Sequence, residues 1–289
     1  MIRSMTGFAS VERQYDFGRL AWELRSVNHR YLEIGFRVPE EFRALEPEIR
    51  RILGQYLSRG KVDAVLRFVP AAGAASSSLT LNRALFDRLL ALQAEMQQAS
   101  GLHEPVDLSG LMRWPGVIEQ LAPDPEPLHA AALELLGDAA ASLQSARSRE
   151  GEQMAAAILE RLAAIESRVS QVRGWLPEIR EGLRQKLLSR VADLQQPLEP
   201  GRLEQEVAFL AQKIDVDEEL DRLAAHVTEA RLVLEREDPV GRRLDFLMQE
   251  FNRESNTLSS KSVDNRTTQV AVELKVAIEQ MREQVQNIE

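Results

Sequence analysis

The feature that most limits this fold is a change of period near residue 128. Before it, apolar residues recur at every second position in several short runs. After it they recur with helical spacing almost to residue 289. A chain of this kind is α+β: a small N-terminal mixed α/β domain followed by a large, mostly α-helical domain with long helical arms. The expected boundaries are 1–125 for the mixed domain, 126–200 for a long helical arm and 201–289 for a C-terminal helical domain. Residues 20–38 alternate, with Trp22, Leu24, Ser26, Asn28, Arg30, Leu32, Ile34 and Phe36 on one face. Glu23, Arg25, Val27, His29, Tyr31, Glu33 and Arg37 lie on the other. Nineteen residues exceed an ordinary strand, so a bend or bulge is expected near Asn28. A helix over 40–58, a strand from Gly60, a short strand at 79–81 and a helix capped by Asn82 follow. Within the arm, a turn around Gly174–Pro177 would give a pair of long helices.

Composition narrows the chemistry. There is no cysteine, which excludes a disulfide scaffold, a thiolate-ligated zinc site and a thiol nucleophile. No run approaches the ~18 apolar residues of a membrane span, and MIRSMTGFAS lacks a signal-peptide core, so a soluble cytoplasmic protein is expected. The net charge of −9 is uneven: residues 1–70 carry 12 Lys/Arg against 9 Asp/Glu, whereas residues 201–289 carry 12 against 19. An acidic body with one locally basic end can still hold a polyanion, because salt screens the distant charges.

Two C-terminal segments carry polar residues in register with an apolar face. In 213–231 the apolar stripe is Leu220, Leu223, Ala224, Val227 and Ala230, and Asp215, Glu219, Arg222 and His226 form a second stripe beside it. In 244–262 the apolar set is Leu244, Leu247, Met248, Phe251 and Leu258, flanked by Glu250, Arg253, Glu254, Thr257 and Lys261. The short EREDPVG break between them predicts antiparallel helices whose polar stripes can face one another. Carboxylates from both helices, with Glu206 ahead of them, offer hard oxygen ligands for Mg²⁺ or Mn²⁺. Histidine is the side-chain type suited to general acid or base work, which points to His226, and Arg222, Arg253 and Lys261 can hold a phosphate. The same pattern also fits plain solvated ion pairs, each worth a few tenths of a kcal/mol. Asn, Ser and Thr crowd residues 252–260 without a turn signal, which indicates either a functional polar face or a break in the helix.

The segments MIRSMTGFAS, ELRSVNHRYLE, RGKVD, LAQKIDVDEELDRLAAHV, GRRLDFLMQEFNRESNTLSSKS and VELKVAIEQMREQVQNIE together resemble the YicC/YloC family of bacterial endoribonucleases. The resemblance runs from end to end, with only general helical character matching over about 71–195. It implies a cytoplasmic, metal-dependent ribonuclease acting on single-stranded or small regulatory RNA and assembled as a homohexamer. Carried onto this chain, the C-terminal motif falls on Glu206, Asp215, Glu219, Arg222, His226, Glu250, Arg253, Glu254, Asn256 and Lys261. The N-terminal motif falls on Arg25, Asn28, His29, Arg30 and Lys61. Our assignment of roles makes Glu206, Asp215, Glu219, Glu250 and Glu254 the metal set. His226 with Glu250, Arg253 and Lys261 forms the catalytic set, His226 moving a proton and the two cations neutralising the phosphate. Arg25, Asn28, His29, Arg30, Lys61, Arg222 and Asn256 form the RNA-binding set, which is expected to hold the backbone without reading bases. A non-catalytic adaptor that recruits another nuclease, or a helical scaffold, are the alternatives.

Overall fold

The computed structural model describes residues 2–71, 79–102, 105–120, 125–193, 201, 205, 208–209, 214–236 and 238–289. Its elements are β1 Gly7–Tyr15, β2 Gly18–Val27, β3 Leu32–Arg37, α1 Glu46–Tyr56, β4 Gly60–Pro70, β5 Leu79–Leu81, α2 Arg83–Ser100, α3 Leu108–Arg113, β6 Ile118–Gln120, α4 Pro125–Asp193, α5 Asp217–Leu234, α6 Gly241–Lys261 and α7 Asn265–Val285. The architecture is α+β, as the change of period requires. No helix among the described residues is long and apolar enough to cross a membrane.

Two compact units form. A sheet unit takes Phe8–Arg25 and Leu32–Gln144, and a helical unit takes Met1–Gly7, Ser26–Tyr31 and Ser145–Glu289. In the sheet unit the strand order is β1-β2-β4-β3, with β3 parallel to β4 and Gly35 beside Asp63. The expected long strand over 20–38 ends at Val27, and the chain resumes as β3 beyond β4. The helix α1 makes the crossover that parallel pairing requires. Leu20, Trp22 and Leu24 of β2 and Val62, Ala64 and Leu66 of β4 bury one face of the sheet against α1 and the first turns of α4. Trp22 is fully buried and donates its Nε1–H to the Ala132 carbonyl at 2.8 Å. Asn82 caps α2 as expected, its side chain accepting from the Leu85 N–H at 3.0 Å.

One expectation fails here. No turn forms at Gly174–Pro177, and α4 is a single helix of 69 residues with Pro177 inside it. Val172 and Leu176 are buried in the core of the helical unit while Pro177 lies on the exposed side, so packing outweighs the missing N–H. The polar run in α6 does not break that helix either. Thr257 Oγ bonds back to the Arg253 carbonyl at 3.2 Å and Ser260 Oγ to the Thr257 carbonyl at 2.9 Å, so these hydroxyls are satisfied within the helix.

In the helical unit, α4 packs against α5, α6 and α7 through Ile158, Leu162, Ile165, Leu223, Leu247, Phe251, Leu274 and Ile278. Asp264 caps α7, accepting from the Arg266 N–H at 2.8 Å and from Arg266 Nε at 3.1 Å. The hydrogen bond from Arg266 holds the Asp264 carboxyl below its ordinary value. A depressed carboxyl stabilises the fold above its unfolded pKa, and that contribution is lost as pH falls through the lower folded value. Replacing Asp264 by Ala is therefore expected to cost about 1 kcal/mol at neutral pH and to flatten the acid limb of the stability curve. Urea unfolding at stepped pH reads both effects, and equal midpoints for the two proteins at neutral pH would show that the cap contributes nothing.

Candidate active site on two antiparallel helices

Helices α5 and α6 pack through the apolar residues expected of them: Leu220, Leu223, Val227 and Ala230 against Leu244, Leu247, Met248, Phe251 and Leu258. With those stripes fixed and the helices antiparallel, the polar stripes run alongside in opposed order. Lys261 meets the start of α5, Arg222 meets Glu254, and His226 meets Glu250 and Glu254.

The three groups along this seam differ in character. Lys261 Nζ donates to Glu219 Oε1 at 2.7 Å and to the Asp215 carbonyl at 2.9 Å. Asp215 spends its carboxylate on the Asp217 N–H at 3.1 Å and on Arg180, and one oxygen of Glu219 is taken by Lys261. Arg222 Nη1 bonds Glu254 Oε1 at 3.3 Å and its Nη2 pairs with Glu218. The Glu254 hydrogen bond, then the Glu218 charge, raise the Arg222 pKa above its ordinary value. Glu254 itself is 2 % exposed, a carboxylate almost wholly out of water.

The third group is a set of residues that could hold a metal ion. His226, Glu250 and Glu254 each present a donor atom, all within 4.8 Å of one another. His226 Nε2 is buried and lacks a hydrogen-bond partner among the described residues, as does the second oxygen of Glu219. The imidazole is held edge-on against Phe251, with centroids 5.7 Å apart, which sets its orientation. An aromatic nitrogen and two carboxylates converging on one point, with the nitrogen unpartnered, form a donor set that fits a divalent cation. Arg253 is exposed and sits 3.7 Å from Glu250. It also lines an open groove of about 500 Å³ with Asn252, Asn256, Thr257 and Arg282.

The family comparison agrees end to end. The description "Endoribonuclease YicC-like, N-terminal region" matches residues 2–156, and "Endoribonuclease YicC-like, C-terminal" matches residues 172–289. The chain belongs to the YicC-like endoribonuclease family. Two relatives, both named "Probable endoribonuclease YicC", align with all of this chain and over their own full length. The one from Haemophilus influenzae is 45 % identical over 289 residues, and the one from Clostridioides difficile is 31 % identical over 294. Both family regions include part of α4.

The remaining residues of this YicC-like chain's expected site fall into separate places. Glu206 lies outside the described residues. Asn28, His29 and Arg30 belong to the helical unit. Asn28 Nδ2 donates to the Gln286 carbonyl at 2.6 Å, His29 Nδ1 lies 3.1 Å from the Tyr31 carbonyl, and Arg30 stacks over the Tyr31 ring. Arg25 and Lys61 belong to the sheet unit, where Lys61 pairs with Glu33 at 3.4 Å and Arg25 lines a hollow on the sheet. Asn256 is exposed and donates to Asn252 Oδ1. Sequence reasoning missed Glu218, whose i,i+4 spacing to Arg222 was a usable signal. It also missed Arg282, which reaches the groove only because α7 packs on α6.

Proposed function

We propose that the chain hydrolyses phosphodiester bonds within single-stranded or small regulatory RNA, using Mn²⁺ or Mg²⁺ on the α5–α6 seam. The observation that carries this reading is the convergence of His226, Glu250 and Glu254 with an unpartnered imidazole nitrogen. Glu250, Glu254 and His226 Nε2 would hold the cation, and a nitrogen donor beside two carboxylates favours Mn²⁺ over Mg²⁺. When bound, the cation supplies Lewis acidity at a phosphoryl oxygen and lowers the pKa of its water. His226, expected from sequence as a proton carrier, serves here as the third donor, because a ring nitrogen lies within 4.8 Å of an oxygen from each carboxylate and its buried Nε2 has no partner among the described residues. Arg222 positions Glu254 through its hydrogen bond, and Lys261 keeps Glu219 in place through the 2.7 Å bond. Arg253, with Asn256 and Arg282 in the adjoining groove, would take the phosphates that flank the cut. The partners are RNA and further copies of this chain, a homohexamer by the family resemblance. The second is supported by α2, which buries none of its residues and leaves Met96 71 % exposed.

The test is cleavage of a labelled single-stranded RNA by the purified protein with Mn²⁺ and with EDTA. His226→Ala and Glu250→Gln would run beside the wild type, each checked for the same assembled mass. Metal-dependent cutting that both variants lose supports this site. Wild-type rates in both would move the chemistry elsewhere and favour the adaptor reading. EDTA-insensitive cutting that leaves a 2′,3′-cyclic phosphate would replace the cation with acid–base chemistry.

A further inference from the structure

The outer face of the four-stranded sheet is not covered by the core of its own unit, and its charges are mostly spent across strands. Arg19 pairs with Glu12, Arg67 with Glu23 and Lys61 with Glu33. Three charged side chains on that face do otherwise. Arg25 on β2, Arg37 on β3 and Asp63 on β4 line one hollow of about 580 Å³, and none has a hydrogen-bond or ion-pair partner among the described residues. With Arg25, Arg37 and Asp63 unspent, the hollow offers donors and acceptors together to a ligand that carries both an anion and polar N–H groups.

The hollow has further built features. Phe8 lines it from β1 and is 60 % exposed, so its ring is open to a stacking partner. Gly35 lies directly across the β3–β4 ladder from Asp63, and a Cβ there would come within 3.1 Å of Asp63 Oδ1. Glycine is a poor strand former, so its presence in β3 leaves room for something beside that carboxylate.

We infer that this hollow binds one unpaired nucleotide of an RNA strand, with its base stacked on Phe8, its phosphate on Arg25 and Arg37, and its Watson–Crick edge on Asp63. Base-to-aromatic stacking needs an exposed ring and tolerates any base. A carboxylate offers only acceptors, and guanine alone presents two adjacent donors, N1–H and the exocyclic N2 amino group, to its two oxygens. The site therefore prefers guanosine, and the sheet unit reads a base where sequence alone suggested backbone contact only. This inference rests on RNA being the substrate of the α5–α6 seam, but it concerns a different surface.

The test measures binding of a fluorescent, guanosine-containing single-stranded oligonucleotide to the full-length protein in EDTA. The same strand with inosine at each guanosine, and free guanosine monophosphate as competitor, run alongside. Phe8→Ala and Gly35→Val, the latter filling the hollow with a good strand former, are each expected to weaken binding about tenfold. Arg37→Ala is expected to reduce the salt slope by about one. Asp63→Asn is expected to erase the preference for guanosine over inosine. Wild-type affinity in all four variants overturns the inference. So does a change of assembled mass in Phe8→Ala, which would mark the face as a contact between copies. Competition by free guanosine monophosphate as strong as by the strand would make this a mononucleotide site and overturn the RNA assignment. Wild-type cleavage with normally binding variants sinks this inference alone. Binding that the variants weaken, without cleavage by the wild type, sinks the catalytic reading alone.

Discussion

Glu254→Gln is expected to lower the cleavage rate at saturating RNA by about 10²–10³-fold, the range that single preorganised charged groups contribute. The substitution keeps volume and leaves one oxygen to accept from Arg222, so it removes charge from a side chain that is 2 % exposed without opening a cavity. Arg222 retains Glu218 as a partner, and the assembled mass and melting temperature should stay close to wild type. Arg222→Lys makes the complementary measurement. A lysine cannot bond Glu254 and Glu218 through separate guanidinium nitrogens, so it should raise the Mn²⁺ concentration for half-maximal activity by about 10–100-fold while sparing much of the saturated rate. If Glu254→Gln instead cuts at the wild-type rate with the wild-type Mn²⁺ requirement, the carboxylate is part of the frame and the seam is not where RNA is cut.

The second large effect concerns another buried charge. Arg147 is 1 % exposed, and its guanidinium donates to the Ser4 carbonyl and to Glu289 Oε2 at 2.7 Å. Burial pushes its pKa down, opposed chiefly by the Glu289 charge, yet a guanidinium stays protonated throughout the working range. Arg147→Ala removes the buried donor that serves the Ser4 carbonyl and the Glu289 carboxylate. The expected loss is about 3–5 kcal/mol, seen as a fall of roughly 10 °C in the melting temperature of the helical unit. Glu289→Gln should cost less, because it keeps an acceptor for the same donor. A melting temperature unchanged by Arg147→Ala would mean that the backbone pairs between residues 3–5 and 287–289 hold these segments together unaided.

What could be read from sequence follows the range over which each signal acts. Alternation in β2 and the offsets in α5 and α6 are local, and they placed Trp22, Leu24, Arg222, His226, Glu250 and Glu254 on the faces where the structure has them. The seam was legible because two stripes in antiparallel helices can meet in only one register. The division of labour within it was not. That Asp215 and Glu219 go to Arg180 and Lys261 depends on side chains 35 and 42 residues distant, which no periodicity encodes. The same holds for β3, which leaves β2 to pair with β4, and for β6, three residues whose only strand signal is their partner β5. Pro177 misled for the opposite reason, a strong local signal overruled by the burial of Val172 and Leu176.

The helical unit is discontinuous in the chain, and this orders events during synthesis. Met5 donates its N–H to the Asn287 carbonyl and Glu289 donates to the Arg3 carbonyl, so residues 3–5 find part of their partners among residues 287–289. At about 5–20 residues per second, the opening segment waits roughly 15–60 s for residues 287–289. The sheet unit, drawn from Phe8–Arg25 and Leu32–Gln144, has its complete set of residues long before that. His226, Glu250 and Glu254 lie on α5 and α6, behind all of them. A ribosome carrying this chain therefore holds the whole sequence of the sheet unit before it has made α5 and α6.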